Sequence, residues 1–399
     1  MRLSPESISF TVFLSAAVAI GPLSTDMYLP TFPLLAAVFG ASVAEVQLTL
    51  SIFTFTIAGC QLIYGPLTDR FGRKPILISG LLAFVAASFA CLFAGNIDDL
   101  ILYRFIQALG VCAAIVVPRA MVRDLYQRDL AAKQLSRMGT IMGFAPAIAP
   151  VLGGYLAAFY GWQSVFVFLG CAGFLVALAV IFLIDESHMS KDKNALRPGH
   201  IFKNYQSLAK NPEFMGFAVS GGLCFGGLFA FISGSPLVLI EVFGVAADHF
   251  GYFFGMGVLG FMAGTLIGPA LTARQGLIHS LKIGTRISAA GGSLMLVAAL
   301  IEINHVAAVM GPMIVFSVGL GLVLPQSQAG AMAPFPEKAG LASALMGFLM
   351  MGFAAILGYV IALLYDGTQL PMVFAIALMG TLSFIVFQIT VVGRQKQIP

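Results

Sequence analysis

The sequence predicts an all-α integral membrane fold of twelve transmembrane helices, on three observations. Of its 399 residues 59% are hydrophobic and only 10% are charged, against about 25% in soluble domains, too few to cover a water-facing surface. Apolar runs of about 20 residues, the length that crosses a hydrocarbon core about 30 Å thick, recur along the whole chain. Basic residues gather between alternate runs, on one side. Helices satisfy their own backbone hydrogen bonds in lipid, whereas a β-barrel needs short alternating segments, which are absent from the sequence.

Apolar stretches and their Gly, Pro and charged punctuation place the spans at 9–31, 45–67, 76–95, 98–120, 134–158 and 162–184, then at 213–240, 248–273, 278–301, 305–330, 339–364 and 370–393. They form two pseudo-symmetric six-helix halves, 1–184 and 213–399, joined by a polar linker, 185–212, that carries Lys191, Lys193, Arg197, Lys203 and Lys210. The first run passes from near Ser9 through Asp26 and Pro30 without a small-residue cleavage pattern, so it reads as a span rather than a removable leader.

Cytoplasmic loops retain Lys and Arg. With an internal N-terminus, all but one of the 21 basic residues fall on the inner side. They are Arg2, then Arg70, Arg73 and Lys74, then Arg119, Arg123, Arg128, Lys133 and Arg137, then the linker's five, then Arg274, Lys282 and Arg286, then Lys338, Arg394 and Lys396. The outer loops carry acids such as Glu45, Asp98, Asp248, Glu302 and Asp366. Both termini are therefore expected in the cytoplasm of a bacterial inner membrane, and an odd number of spans would destroy the segregation. The net charge of +4 belongs to these loops and not to a nucleic-acid surface. Cys60, Cys91, Cys112, Cys171 and Cys224 lie within apolar runs without metal-type spacing and read as small core residues.

A weak repeat links the halves. Gly65-Pro66-Leu67-Thr68-Asp69-Arg70-Phe71-Gly72 follows span two, and Gly268-Pro269-Ala270-Leu271-Thr272-Ala273-Arg274-Gln275-Gly276 follows span eight. Paired halves of this kind place transporter binding sites near the bilayer midplane.

One base, Arg104, and one acid, Asp26, remain well inside spans. Such ions are costly in hydrocarbon, so they face a cavity or a partner and carry function. At 1.5 Å per residue Asp26 lies about 24 Å from the inner face and Arg104 about 22 Å, so the two share a height. A carboxyl in a low-dielectric cavity is driven toward its protonated form and a nearby guanidinium drives it toward its ionised form. Asp26 is thus the candidate proton carrier and Arg104 its tuner, the alternative being a buried pair that only fixes packing. Tyr28 and Gln107 flank the pair as substrate contacts or as interhelical hydrogen bonds. Phe225 and Phe231, in the Gly-rich span seven, are candidate cavity linings.

Span five carries Gly139, Gly143, Pro146, Pro150, Gly153 and Gly154, which suit either close helix packing or a bend that shapes a gate. In the turn from Gly65 to Pro75, Asp69 is placed to accept bonds from the start of span three, where the helix dipole favours an anion, and Gly65 and Gly72 allow close backbone approach.

That turn resembles the cytoplasmic signature of the major facilitator superfamily, G-x-L-a-D-r-x-G-r-k, at Gly65, Leu67, Asp69, Arg70, Gly72, Arg73 and Lys74. Asp26-Met27-Tyr28-Leu29-Pro30 resembles the D-x-Y-L-P of its bicyclomycin-resistance (Bcr/CflA) drug/proton antiporters, Arg104-Phe105-Ile106-Gln107 the R-x-x-Q of the span-four motif, and Arg119 to Tyr126 the subfamily's next loop. Span five is similar to the antiporter motif G-P-x-x-G-G, with Ala149 before Pro150 where a glycine is usual, and Ala108 follows Gln107 where many relatives have glycine. The resemblance implies a monomeric antiporter that alternates between inward-open and outward-open forms, driven by the proton gradient without a cofactor. Asp26 would exchange a proton, Arg104 would stabilise it, and Asp69 with Arg73 would hold the inward gate. Its expected substrates are small amphipathic or antibiotic-like molecules, and a proton symporter importing a nutrient is the alternative.

Other classes fit poorly. An intramembrane enzyme needs clustered nucleophiles, bases or metal ligands, yet His188, His200, His249, His279 and His305 are scattered near span ends, and no phosphate-cradling loop motif occurs. A channel needs repeated polar rings, and the sequence supplies a single pair of intramembrane ions.

Overall fold

The computed structural model describes residues 7–393 apart from 189, 190 and 194, so Arg2, Arg394 and Lys396 lie outside the described residues. Twelve of the described helices are long and apolar enough to cross a membrane. Span one comprises α1 (Ile8–Asp26), a 3-10 turn (Leu29–Thr31) and α2 (Phe32–Phe39). Spans two to six are α3 (Val43–Phe71), α4 (Arg73–Ala90), α5 (Ile97–Leu125), α6 (Arg128–Tyr160) and α7 (Gln163–Leu183). Helix α8 (Pro198–Ala209) lies in the linker. Spans seven to twelve follow as α9 (Pro212–Ser235), continued by a π-helical turn (Pro236–Val242), α10 (Phe250–Gln275), α11 (Leu277–Leu300), α12 (Val306–Met332), α13 (Ala339–Leu363) and α14 (Leu370–Phe387), which ends in a π-helical turn (Gln388–Val392).

The chain divides into two compact units, Met1–Phe202 and Lys203–Pro399, so the division falls inside α8. Helices α3, α5 and α6 run past the expected ends of their spans on the linker side. Hydropathy marks only the stretch that lipid requires to be apolar, while the backbone ladder continues through charged residues such as Asp69 and Arg123. Helix starts carry their own caps. Ser42 and Glu45 form a reciprocal box, with Glu45 N–H donating to Ser42 Oγ at 3.3 Å and Ser42 N–H to Glu45 Oε2 at 2.7 Å. Asn96 and Asn211 accept from the N–H groups of Asp99 and Phe214 at 2.8 and 2.9 Å.

Each unit contains the same close helix crossing. In the first, α4 meets α5 at Gly80 and Gly110, where a Cβ on Gly110 would stand 2.5 Å from the Gly80 carbonyl oxygen. In the second, α11 meets α12 at Gly284 and Gly319, where a Cβ on Gly319 would stand 2.6 Å from the Gly284 carbonyl oxygen. Without water to drive association, membrane helices gain from such backbone proximity. Bulky apolar side chains such as Phe93, Leu266 and Phe182 are exposed, as contact with lipid requires.

Span one, expected at 9–31, runs on to Phe39 and is broken. The ladder of α1 stops at Asp26, because Pro30 and Pro33 have no N–H to bond the carbonyls four residues before them. Span five covers the break: Gly153 lies so close that a Cβ there would overlap the Met27 carbonyl oxygen and stand 2.7 Å from Met27 Cα. Gly143, nearer the start of the same helix, has open space where a Cβ would go. Gly153→Ala is therefore expected to lower stability by about 1–3 kcal/mol, while Gly143→Ala is expected to raise it by up to about 1 kcal/mol, since alanine suits a helix interior better than glycine. Thermal unfolding of the two purified variants, followed by circular dichroism in one detergent, checks the contrast.

Candidate functional site

Arg104, on the buried face of α5, has no exposed surface. Its Nη1 donates to Gln107 Oε1 at 2.6 Å and its Nη2 to the Ser24 carbonyl at 3.2 Å. The guanidinium carbon sits 4.0 Å from the ring centroid of Phe53, 4.6 Å from that of Tyr28 and 6.0 Å from that of Phe166. Its Nε has no partner among the described residues. An aromatic cage and two oxygen acceptors thus hold this cation where a carboxylate was expected. A cation over a desolvated aromatic face gains about 2 kcal/mol.

Asp26 is buried at the end of α1, 4% exposed, and its Oδ1 accepts from Thr25 Oγ1 at 2.8 Å. Among the described residues it has no ion-pair partner within 4.0 Å. The two intramembrane ions therefore reach the same stretch of span one, but the guanidinium takes the Ser24 carbonyl and not the Asp26 carboxyl. Tyr28 and Gln107 are fully buried. The Tyr28 hydroxyl shares a 2.7 Å hydrogen bond with Thr49, and Gln107 Nε2 donates to Ser88 Oγ at 2.7 Å while its Oε1 serves Arg104. Both thus link helices, one of the two roles open to them.

The second unit holds Phe231 in its core, 1% exposed and stacked on Phe254 at 5.8 Å between centroids. Phe225 is half-buried beside Phe229 at 6.3 Å. In span five Pro146 and Pro150 lie inside an unbroken α6, and Gly154 is buried next to Gly153.

On the linker side, the Arg73 guanidinium joins three elements. Its Nη1 meets Asp69 Oδ1 at 2.6 Å and also donates to Thr68 Oγ1, and its Nε meets Asp124 Oδ2, at the end of span four, at 2.8 Å. Arg73 is 6% exposed, so the pairs are partly desolvated. The anion at the start of span three is not Asp69 as expected but Glu186, from the linker, which accepts from the N–H groups of Arg73 at 2.9 Å and Lys74 at 3.2 Å. Gly72 has φ +103°, and a Cβ there would lie 2.5 Å from Glu186 Oε2. Ser187 Oγ donates to Asp124 Oδ2 at 3.2 Å, and the Asp192 N–H donates to the Asp69 carbonyl at 3.0 Å. Gly65 faces open space and Arg70 lies over the Phe71 ring at 5.3 Å. Asp124 was visible only as part of a resemblance, and Glu186 gave no signal, because it meets its partners across more than a hundred residues of chain.

Removing the Glu186 carboxylate leaves two amides at a helix start without an acceptor. Glu186→Ala is expected to cost about 1 kcal/mol locally and to speed amide hydrogen exchange at Arg73 and Lys74 roughly fivefold, as read by mass spectrometry. Phe53→Leu, which takes away the nearest ring of the Arg104 cage, is expected to cost about 2 kcal/mol, and chemical unfolding of that variant measures it.

The sequence profile of the Major Facilitator Superfamily matches residues 14–359. The chain is 30% identical to a bicyclomycin resistance protein homolog of Haemophilus influenzae over 97% of both chains. It is 27% identical to a chloramphenicol resistance protein of Pseudomonas aeruginosa over 99% of this chain and 94% of that one. It is also 28% identical to a multidrug resistance protein, MdtL, of Escherichia coli over 85% of this chain and 84% of the relative. Its fold is similar to that of the xylose transporter XylE of E. coli in a partially occluded inward-open conformation, with a TM-score of 0.75 at 14% identity over 96% of this chain and 97% of that one. Family and fold alike point to a multi-pass membrane transporter rather than an enzyme, and the chain belongs to the major facilitator superfamily, in its bicyclomycin-resistance branch.

Proposed function

We propose that this chain exports small amphipathic, antibiotic-like molecules across a bacterial inner membrane in exchange for protons, with both termini in the cytoplasm. The observation that carries this is the placement of Asp26. A carboxyl is enclosed at the end of a broken helix with one hydroxyl donor and, among the described residues, no basic partner. Intramembrane ionisable groups are costly and are retained at ion and substrate pathways, and broken helices occur at transporter binding sites. The names of the relatives, which refer to bicyclomycin, chloramphenicol and multidrug resistance, support the substrate class. The basic residues of the loops support the orientation.

Alternating access needs a linker-side contact that forms and breaks, and the Asp69–Arg73–Asp124 cluster is suited to it because its charges are only partly desolvated. Arg104 acts in this scheme on the backbone rather than on the carboxyl: by binding the Ser24 carbonyl it fixes the turn from which Asp26 projects.

The test is accumulation of chloramphenicol and bicyclomycin in inverted vesicles with an acidic lumen. The parent protein is expected to accumulate drug against its gradient. Asp26→Asn is expected to fold, to lose at least about tenfold of the pH-driven accumulation, a barrier change of about 1.4 kcal/mol or more, and to retain downhill exchange. Undiminished uphill transport by that variant overturns the assignment, and accumulation only when the outside is acidic indicates symport instead.

A further inference from the structure

Span nine, α11, carries its basic side chains along one face. His279, Lys282 and Arg286 follow one another at intervals of three and four residues, and Ala290, Leu294 and Val297 continue the same face toward the far end of the helix. All of them are exposed except Lys282, which is half-buried. The opposite face, with Ser280, Gly284, Ser288 and Gly291, is buried in the second unit.

Depth separates these cations from ordinary loop residues. Helix α11 has 24 residues, about 36 Å at 1.5 Å per residue, against a hydrocarbon core about 30 Å thick. Arg286 lies about 13 Å along the axis from Leu277 and Lys282 about 7 Å. Even with the whole excess length of about 6 Å on the linker side, the Arg286 backbone is about 7 Å inside the core and that of Lys282 at its edge. What covers this face is therefore lipid. Helical side chains lean toward the N-terminus of their helix, which for α11 is the linker side, so both cations reach back toward the level of the lipid headgroups.

The protein supplies no counter-ion. No acid occurs in span nine or in its neighbours, spans eight, ten and twelve, and among the described residues neither Lys282 nor Arg286 has an acid within 4.0 Å. Span twelve closes on span nine at Gly292, where a Cβ would stand 2.8 Å from Ala377 Cα, and at Gly380, where a Cβ would stand 3.0 Å from the Ser288 carbonyl oxygen. Nearer the linker side, the Arg286 guanidinium carbon lies 6.0 Å from the ring centroid of Phe384, at the outer limit of a cation–ring contact. A phosphate is the anion that the bilayer offers at this level, and basic pockets between transmembrane helices take such headgroups. A zwitterionic lipid would bring its own ammonium group up to the two cations, so a headgroup with net negative charge fits better.

We infer that Lys282 and Arg286, on the face of span nine beside span twelve, bind the phosphate of an anionic phospholipid of the linker-side leaflet, with an acyl chain lying along Ala290, Leu294 and Val297. The site lies in the unit that does not contain Asp26, and it holds whichever molecule is carried and in whichever direction.

The test is native mass spectrometry of the purified full chain with equal amounts of dioleoyl phosphatidylglycerol and dioleoyl phosphatidylethanolamine. The parent protein is expected to retain phosphatidylglycerol with an apparent Kd at least about fivefold lower, the effect of a single basic residue on an anionic lipid. Lys282→Gln with Arg286→Gln is expected to bring the two lipids to within about twofold of each other, whereas Lys191→Gln with Lys193→Gln, the same change of charge placed in the linker, leaves the preference intact. A second measurement needs no substitution: phosphatidylglycerol with a diazirine near the head of its acyl chain is expected to cross-link to peptides of Leu277–Leu300 and Leu370–Phe387. Inorganic phosphate in excess, the competing source of the same anion, is expected to leave the lipid bound. Equal retention of the two lipids by the parent, a preference that survives the Lys282 and Arg286 substitutions, cross-links confined to other spans, or displacement by inorganic phosphate each overturns the site.

Discussion

A guanidinium cannot shed its charge inside a protein, and moving one from water into a fatty interior is expensive unless other groups replace its hydration. The first unit solves that problem for Arg104 with groups from five of its six spans. Ser24 and Tyr28 come from span one, Phe53 from span two, Gln107 from span four itself and Phe166 from span six, while Ser88 of span three orients the glutamine. Loss of any one leaves the cation less well solvated, so these helices are locked in mutual register around one side chain. Span five enters through Gly153, which abuts Met27 next to the turn that supplies Ser24 and Asp26.

Arg104 is held without an ion pair to Asp26, by the Ser24 carbonyl, Gln107 and the surrounding rings, although its Nε has no partner among the described residues. A direct ion pair between them would bind the acid to a permanent cation and resist loading of a proton. Instead the arginine binds the backbone of span one and the acid keeps a single hydroxyl neighbour. The contact to the backbone and the buried acid thereby fall within one stretch of span one, at Ser24 and Asp26.

The linker-side end of the same unit uses charge differently. Arg73 is shared between Asp69 and Asp124, and the linker closes over it through Glu186 and Ser187. The first turn of span three is therefore capped by a residue from beyond span six, which ties movement of the linker to the position of that turn. The second unit keeps the glycine and the threonine of this arrangement but replaces the ions with Ala273 and Leu277, and space opens where the ion network would be. One backbone plan thus carries a charged contact in one half and an open, largely apolar groove in the other.

The twelve spans, the two halves and the grouping of basic loops were legible in the order of residues alone, because the bilayer imposes length and apolarity locally, on each segment in turn. The rarity of ions within the spans likewise singled out Asp26 and Arg104 before any contact was known. Which atoms those ions meet was decided only by the tertiary structure. Rotation of a helix about its axis and the insertion of an aromatic ring from a distant span leave no mark in a local pattern. The same holds for Glu186 at the start of span three, for the enclosure of Tyr28, Gln107 and Phe231, and for the break that places Asp26 at the end of a helix, where two prolines remove donors and Gly153 of span five leaves room for the turn. Hydropathy is summed over neighbours in sequence, whereas hydrogen bonds and cation–ring contacts are made between neighbours in space.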